Sequence, residues 1–107
     1  MKEAAKNTLN IIVKDLALFD DDMVLYVKKE WEFNSQAKVY LFEDEEAVPT
    51  EIKGYKYFLE IAIIHDVIET WNTWTKNAKT SLPDIVGAVL YYAENDAYKS
   101  INSDSPI

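Results

Sequence analysis

Residues 61–74 read IAIIHDVIETWNTW, and their apolar side chains recur with the spacing of an α-helix. The predicted apolar face consists of Ile61, Ile64, Val67, Ile68, Trp71 and Trp74. Asp66 and Glu69 fall outside that face, so the segment is amphipathic. We therefore expect a helix of about four turns, with its apolar face buried against the rest of the protein.

A second C-terminal helix is predicted to begin in the sequence SLPD at residues 81–84. Ser81 is a favourable N-cap, Pro83 is tolerated in the first turn, and Asp84 lies three positions after the cap. The predicted buried stripe of this helix is Leu82, Ile85, Val86, Val89, Leu90 and Ala93. The tail, residues 100–107, is polar and is expected to be frayed.

Upstream of these helices, two apolar runs of strand length predict a small antiparallel sheet. The runs are MVLYV at 23–27 and AKVYLF at 37–42, joined by residues 28–36. Residues 43–54 are predicted to be a polar loop. The segment YKYFL at 55–59 is either a third strand or the lead-in to the helix that follows it.

Residues 3–18 place five apolar side chains at helical spacing and predict an amphipathic N-terminal helix that ends before Asp20. The predicted fold class is therefore α+β: an N-terminal helix, a small antiparallel sheet of two to four strands, and two C-terminal helices packed on one face. Residues 1–107 are expected to form a single domain. The predicted core is Leu25, Val27, Val39, Leu41, Ile64, Val67, Ile68, Trp71, Ile85, Val86, Val89 and Leu90.

The composition restricts the possible partners. The chain has 19 Asp and Glu against 11 Lys and no Arg, which gives a net charge of -8. Such a chain is repelled by phosphate backbones and anionic membranes, so we expect no direct nucleic acid and no membrane among its partners, and favour a basic protein. Without an export signal or an apolar run near the roughly 20 residues that span a bilayer, a cytoplasmic location is expected.

The sequence offers little for catalysis. There is no cysteine, the only histidine is His65, and the only glycines are Gly54 and Gly87. These residues form no nucleophilic triad and no phosphate-binding loop. The carboxylate runs at 20–22 and 43–46 lack the ligand spacing of a calcium loop. We therefore expect no enzyme, no cofactor and no metal.

Acidic and aromatic loops are the predicted binding surface, because their charges lie outside the apolar stripes and repel one another. Trp31 either anchors a protein contact or folds back onto the sheet. An aromatic and acidic patch over residues 91–98 is the alternative surface. The predicted partner-binding residues are Asp20, Asp21, Asp22, Glu30, Trp31, Glu32, Glu43, Asp44, Glu45 and Glu46.

The runs GYKYFL at 54–59 and YYAENDAY at 91–98 resemble a family of small acidic bacterial proteins of unknown function. Such proteins are similar to the immunity proteins of contact-dependent growth inhibition and polymorphic toxin systems. The resemblance implies a protein that binds and neutralises a cognate toxin domain, with a basic nuclease as the expected partner. The alternative is a non-enzymatic regulatory or adaptor protein that binds a different cellular protein. No site residue and no oligomeric state follows from the resemblance.

Overall fold

The computed structural model describes residues 1–96. The predicted frayed tail and the end of the aromatic patch at Tyr98 lie outside the described residues. In chain order the elements are β1 (Lys2–Thr8), α1 (Leu9–Lys14), a 3-10 turn (Leu16–Leu18), β2 (Val24–Val27), β3 (Gln36–Leu41), β4 (Glu51–Ile52), β5 (Tyr55–Glu60), α2 (Ile61–Trp74) and α3 (Leu82–Asn95).

The strands form one antiparallel sheet in the order β1-β3-β2-β5-β4. The predicted α+β class and the predicted antiparallel pair, β2 with β3, are confirmed. The segment at 55–59, which the sequence left open, is a strand. The expected number of strands was too low, because β1 and the two-residue β4 carry no strand pattern of their own.

The predicted N-terminal helix over 3–18 is wrong in its first half. Residues 2–8 form β1, and only the six residues of α1 are α-helical. The buried side chains of this region, Leu9 and those that follow it, all lie after β1, so a helix over residues 2–8 would have had almost no apolar face to bury. Hydrogen bonds to β3 stabilise this segment instead.

The helices cover one face of the sheet. α2 packs on β5, α1 packs on β3, and α3 packs against both helices. The predicted helix at 61–74 is confirmed with the same ends. At the start of α3, Ser81 Oγ accepts from the Asp84 amide at 3.3 Å and donates to the Asp84 carboxylate at 2.8 Å, which confirms the predicted cap.

Most of the predicted core lies between the sheet and these helices. The fully or nearly fully buried members are Leu25, Val27, Val39, Ile64, Val67, Trp71, Val86 and Val89. Leu41, Ile68, Ile85 and Leu90 are half-buried. The buried core also contains side chains of α1 and β5 that were not predicted to belong to it, among them Leu9, Phe58 and Leu59.

A second hydrophobic cluster lies on the opposite face of the sheet and was not predicted. Its residues are Val24, Tyr26, Tyr40, Ile52 and Tyr55, with Phe42 and Tyr57 packed at its margin. Tyr26 is at the centre, and its ring meets the rings of Tyr40 and Tyr57 edge to face at 5.6 and 5.9 Å. All four residues of β2 are consequently buried.

Within residues 1–96, none of the helices combines the length and the apolar character that crossing a bilayer requires. This finding agrees with the sequence, in which every long apolar run is interrupted by charge.

Two leucines provide a matched test of the core. Leu9 is 0% exposed and Leu18 is 78% exposed. Leu9→Ala should lower the free energy of unfolding by about 2 to 5 kcal/mol, because it removes buried methyl groups and leaves a cavity. Leu18→Ala should change it by less than about 0.5 kcal/mol. Urea denaturation measures both values, and equal losses for the two variants would show that α1 is not part of the core.

Candidate protein-binding surface

The strand register brings two of the predicted acidic clusters to the same end of the sheet. Val24, the first residue of β2, lies opposite Tyr40 near the end of β3 and opposite Glu60 at the end of β5. The loop before β2 and the loop after β3 therefore leave the sheet side by side. We call this region the acidic end; its carboxylates are Asp20, Asp21, Asp22, Glu43, Asp44, Glu45, Glu46 and Glu60.

The N-terminus of α2 is capped by backbone carbonyls from residues 20–23, which contain the carboxylate run Asp20, Asp21 and Asp22, called here the Asp20 cluster. Glu60 occupies the N-cap position of that helix but makes no side-chain capping bond. Instead, the amides of Ile61 and Ala62 donate to the carbonyls of Met23 and Asp21 at 2.9 and 3.2 Å. Carboxylates near the N-terminus of α2 also interact favourably with the positive end of the helix dipole. The Asp20 cluster thus has a structural role as well as a high charge.

His65 contacts the Asp20 cluster from the second turn of α2. Its Nε2 atom is 3.7 Å from Oδ1 of Asp21, and both side chains are partly exposed. The pair is an ion pair only when the imidazole is protonated. This position is consistent with a structural role for the histidine.

The second cluster is the turn formed by residues 43–46, called here the acidic turn. Hydrogen bonds of Glu46 hold this turn together. The Glu46 amide donates to the Glu43 carbonyl, and the Glu46 carboxylate accepts from the Glu43 amide, both at 3.0 Å. The same carboxylate pairs with the amino group of Met1. That amino group and then the Glu43 amide lower the pKa of Glu46, because both stabilise the charged carboxylate. Glu46 therefore has a structural role in the turn.

Glu43, Asp44 and Glu45 are the carboxylates of this turn that the fold does not use. All three are exposed, and none of their side chains makes an ion pair or a hydrogen bond within residues 1–96. Three neighbouring carboxylates without partners repel one another at neutral pH. Their charge is consequently available for an external cation.

Tyr26 anchors the chain that follows the acidic turn. Its hydroxyl donates to the carbonyl of Pro49 at 2.6 Å, and the Tyr57 amide donates to the carbonyl of Thr50 at 2.9 Å. Burial, and then the neighbouring Tyr57 and Tyr40, raise the pKa of Tyr26 to about 12. The aromatic cluster thus fixes the loop that carries Glu43 to Glu46 across the face of the sheet.

Glu30, Trp31 and Glu32 do not belong to the acidic end. They follow Val27, which lies opposite Ala37 at the start of β3, so their loop is at the opposite end of the sheet. Lysines 28 and 29 and both glutamates line a surface hollow of about 380 Å³ there. The predicted surface is therefore divided in two, and the part at Glu30 to Glu32 mixes its carboxylates with lysines 28 and 29.

Trp31 folds back onto the sheet, which was one of the two placements left open by the sequence. Its indole N–H donates to the carbonyl of Val27 at 3.0 Å, and its ring meets Phe58 edge to face at 4.9 Å. The ammonium of Lys29 lies 3.7 Å from the ring centroid. The tryptophan is half-buried, and its position stabilises the loop.

A further acidic region, which was not among the predicted surfaces, lies on α2. Asp66, Glu69 and Trp74, with two threonines between them, line an open hollow of about 310 Å³. The five lining residues are related by spacings of three and four positions, which place them along one side of the helix, and the sequence pattern could have indicated this. Among residues 1–96, no three Asp, Glu or His side chains are grouped as metal ligands.

The chain belongs to the family described as domain of unknown function DUF7716, which matches residues 6–101. The match agrees with the resemblance to a family of unknown function found in the sequence, and it carries no link to immunity proteins. Comparisons with curated proteins and with solved structures found no significant match.

The anchoring role of Tyr26 predicts a loss of stability at alkaline pH. The unfolded chain ionises this phenol near pH 10, whereas the folded protein keeps it neutral to about pH 12. The resulting stabilisation is complete below pH 10 and is lost as the pH rises from 10 to about 12. Between pH 10 and about 12, the melting temperature should therefore fall more steeply for the natural protein than for the Tyr26→Phe variant.

A matched control is Tyr91→Phe, which changes a half-buried tyrosine on α3, outside the aromatic cluster. Its melting temperature should decline with pH as steeply as that of the natural protein. Parallel pH curves for all three proteins would contradict the assignment of the effect to Tyr26.

Proposed function

We propose that this member of a family without an assigned function is an immunity protein, which binds and neutralises a cognate bacterial toxin domain through its acidic end. The expected toxin is a basic nuclease. The observation that carries the proposal is the convergence of two carboxylate clusters, some twenty residues apart in the chain, at one end of the sheet. The resemblance to immunity proteins supplies the choice of partner.

Structural roles explain part of this charge, and they narrow the proposed contact. The Asp20 cluster lies at the N-terminus of α2, and Glu46 holds its turn together. Glu43, Asp44 and Glu45 have no comparable role in the fold. A concentration of like charges lowers the stability of a compact protein, so a benefit outside the fold is implied. Partner binding is such a benefit.

Electrostatic complementarity fits the proposed activity. A net charge of -8 attracts a cationic protein over distances comparable with the Debye length, about 8 Å at physiological salt. Steering of this kind increases the association rate, which suits the capture of a toxin before it acts. Carboxylates at the contact would occupy the places of phosphates on the nuclease surface and exclude nucleic acid from it.

The proposal is tested with two double variants that change the same amount of charge at opposite ends of the sheet. Glu43→Lys with Asp44→Lys alters the acidic end, and Glu30→Lys with Glu32→Lys alters the other end. Each variant is co-expressed with the toxin domain encoded beside a gene of this family, and survival is scored. The acidic-end variant should lose protection, with association at least about tenfold slower at low salt.

The control variant should protect as well as the natural protein and show the same association rate. The melting temperatures of both variants should be close to that of the natural protein, because exposed charges contribute less than about 0.5 kcal/mol to the free energy of unfolding. Equal protection by two folded variants would refute the contact at the acidic end. Failure of the natural protein to protect against any such toxin, together with binding to another cellular protein, would favour the adaptor function.

A further inference from the structure

β1 is an edge strand with one unpaired side. It bonds to β3, and no other strand within residues 1–96 lies beside it. The strand is seven residues long, and most of its side chains are exposed. The free amides and carbonyls of such an edge can accept a further strand. The side chains and the register of β1 determine which strand can pair with this edge.

The pairing of β1 with β3 contains a bulge. Glu3 lies opposite Tyr40 and Ala5 lies opposite Val39, so that Ala4 is an extra residue in β1. In a regular strand, residues 3 and 6 lie on opposite faces, because side chains alternate. An extra residue reverses this alternation beyond the point where it is inserted.

Because of the bulge, Glu3 and Lys6 share a face of the sheet. Their partners on β3 are Tyr40 and Lys38, which are two residues apart and therefore on the same face. Lys2 and Asn7 share the other face by the same reasoning, since they lie opposite residues 41 and 37. The strand thus has two pairs of positions, Glu3 with Lys6 and Lys2 with Asn7. The members of each pair share a face and are equally far along the chain from the midpoint between Ala4 and Ala5.

We infer that β1 pairs antiparallel with β1 of a second copy of the chain, about a two-fold axis between Ala4 and Ala5. In this register Glu3 of each copy lies opposite Lys6 of the other, and Lys2 lies opposite Asn7. Opposite charges directly across two strands stabilise their pairing, and they occur here twice by symmetry. The small alanines at the centre allow the two backbones to approach.

The side chains on this face are prepared for such a contact. Glu3 already accepts from Lys38 Nζ at 2.9 Å, which fixes its charged carboxylate on the face while leaving acceptor positions on its oxygens. The hydrogen bond from Lys38 lowers the pKa of Glu3, and the charge of Lys6 lowers it further. Lys6 nevertheless lies beyond ion-pair distance of every carboxylate of residues 1–96, so it has no direct partner there. A carboxylate supplied by the second copy would provide that partner.

The same features exclude most other strands. Lysines and bulges on an edge strand prevent indiscriminate pairing. A strand that joins β1 must bring a carboxylate opposite Lys6, small side chains opposite the alanines, and a matching irregularity beside Ala4. β1 itself, in the reverse direction, meets all three requirements. The inference does not depend on the proposed function, since the acidic turn takes no part in the pairing.

Sedimentation equilibrium of the full chain tests the pairing. Two paired strands bury less surface than the roughly 1,200 Å² of a standard stable interface, so we expect a weak dimer. Its dissociation constant should lie between about 1 μM and 1 mM. Lys6→Glu places carboxylates opposite each other and should weaken the dimer at least about tenfold. Glu3→Lys should do the same with opposed ammonium groups. Lys14→Glu, which changes an exposed lysine of α1 by the same charge, should have no effect.

A mixture of the two β1 variants provides the decisive measurement. Chains with Lys6→Glu and chains with Glu3→Lys each repel their own kind, but together they place opposite charges across both contacts. The mixture should form a heterodimer at least as strongly as the natural protein forms its homodimer. Thermal melting of each variant shows that it is folded. A monomeric natural protein at about 1 mM, or folded variants that do not associate when mixed, would overturn the inference.

Discussion

The fold depends on the burial of β2 on both faces. All four residues from Val24 to Val27 are buried, and the strand lies between β3 and β5. Leu25 and Val27 meet the helices, whereas Val24 and Tyr26 meet the aromatic cluster. A strand with two apolar faces requires a cover on each side. The helices provide one cover, and the aromatic rings with the loop bound to Tyr26 provide the other.

The sequence predicts the elements that depend on interactions between neighbouring residues, and it does not predict those that depend on contacts between distant residues. α2 and the start of α3 were predicted because periodicity and capping are local properties. β1 was missed because its residues include good helix formers, and because its strand state depends on pairing with residues 28 to 39 positions later. The aromatic cluster was missed for a similar reason: it is assembled from four strands, β2 to β5, and from Phe42 in the loop after β3.

In the candidate site, too, local features were predicted from the sequence and features that depend on distant residues were not. The acidic clusters themselves are evident in the sequence, but their grouping depends on the antiparallel register of β2, which places residues 20–22 beside 43–46 and moves Glu30 to the other end. The sequence also could not separate charges with structural roles from those without. Only the contacts identify Glu46 as part of its own turn and leave Glu43 and Asp44 available.

The two proposed surfaces are compatible with each other because of the direction of β1. Its first residue, Lys2, lies opposite Leu41, so the strand begins at the acidic end. Antiparallel pairing of two copies therefore places their acidic ends at opposite ends of the continuous sheet. Seven residues of strand extend about 24 Å, about three times the Debye length of about 8 Å at physiological salt. The repulsion between the two acidic ends is thus screened, and each end stays accessible to a basic partner.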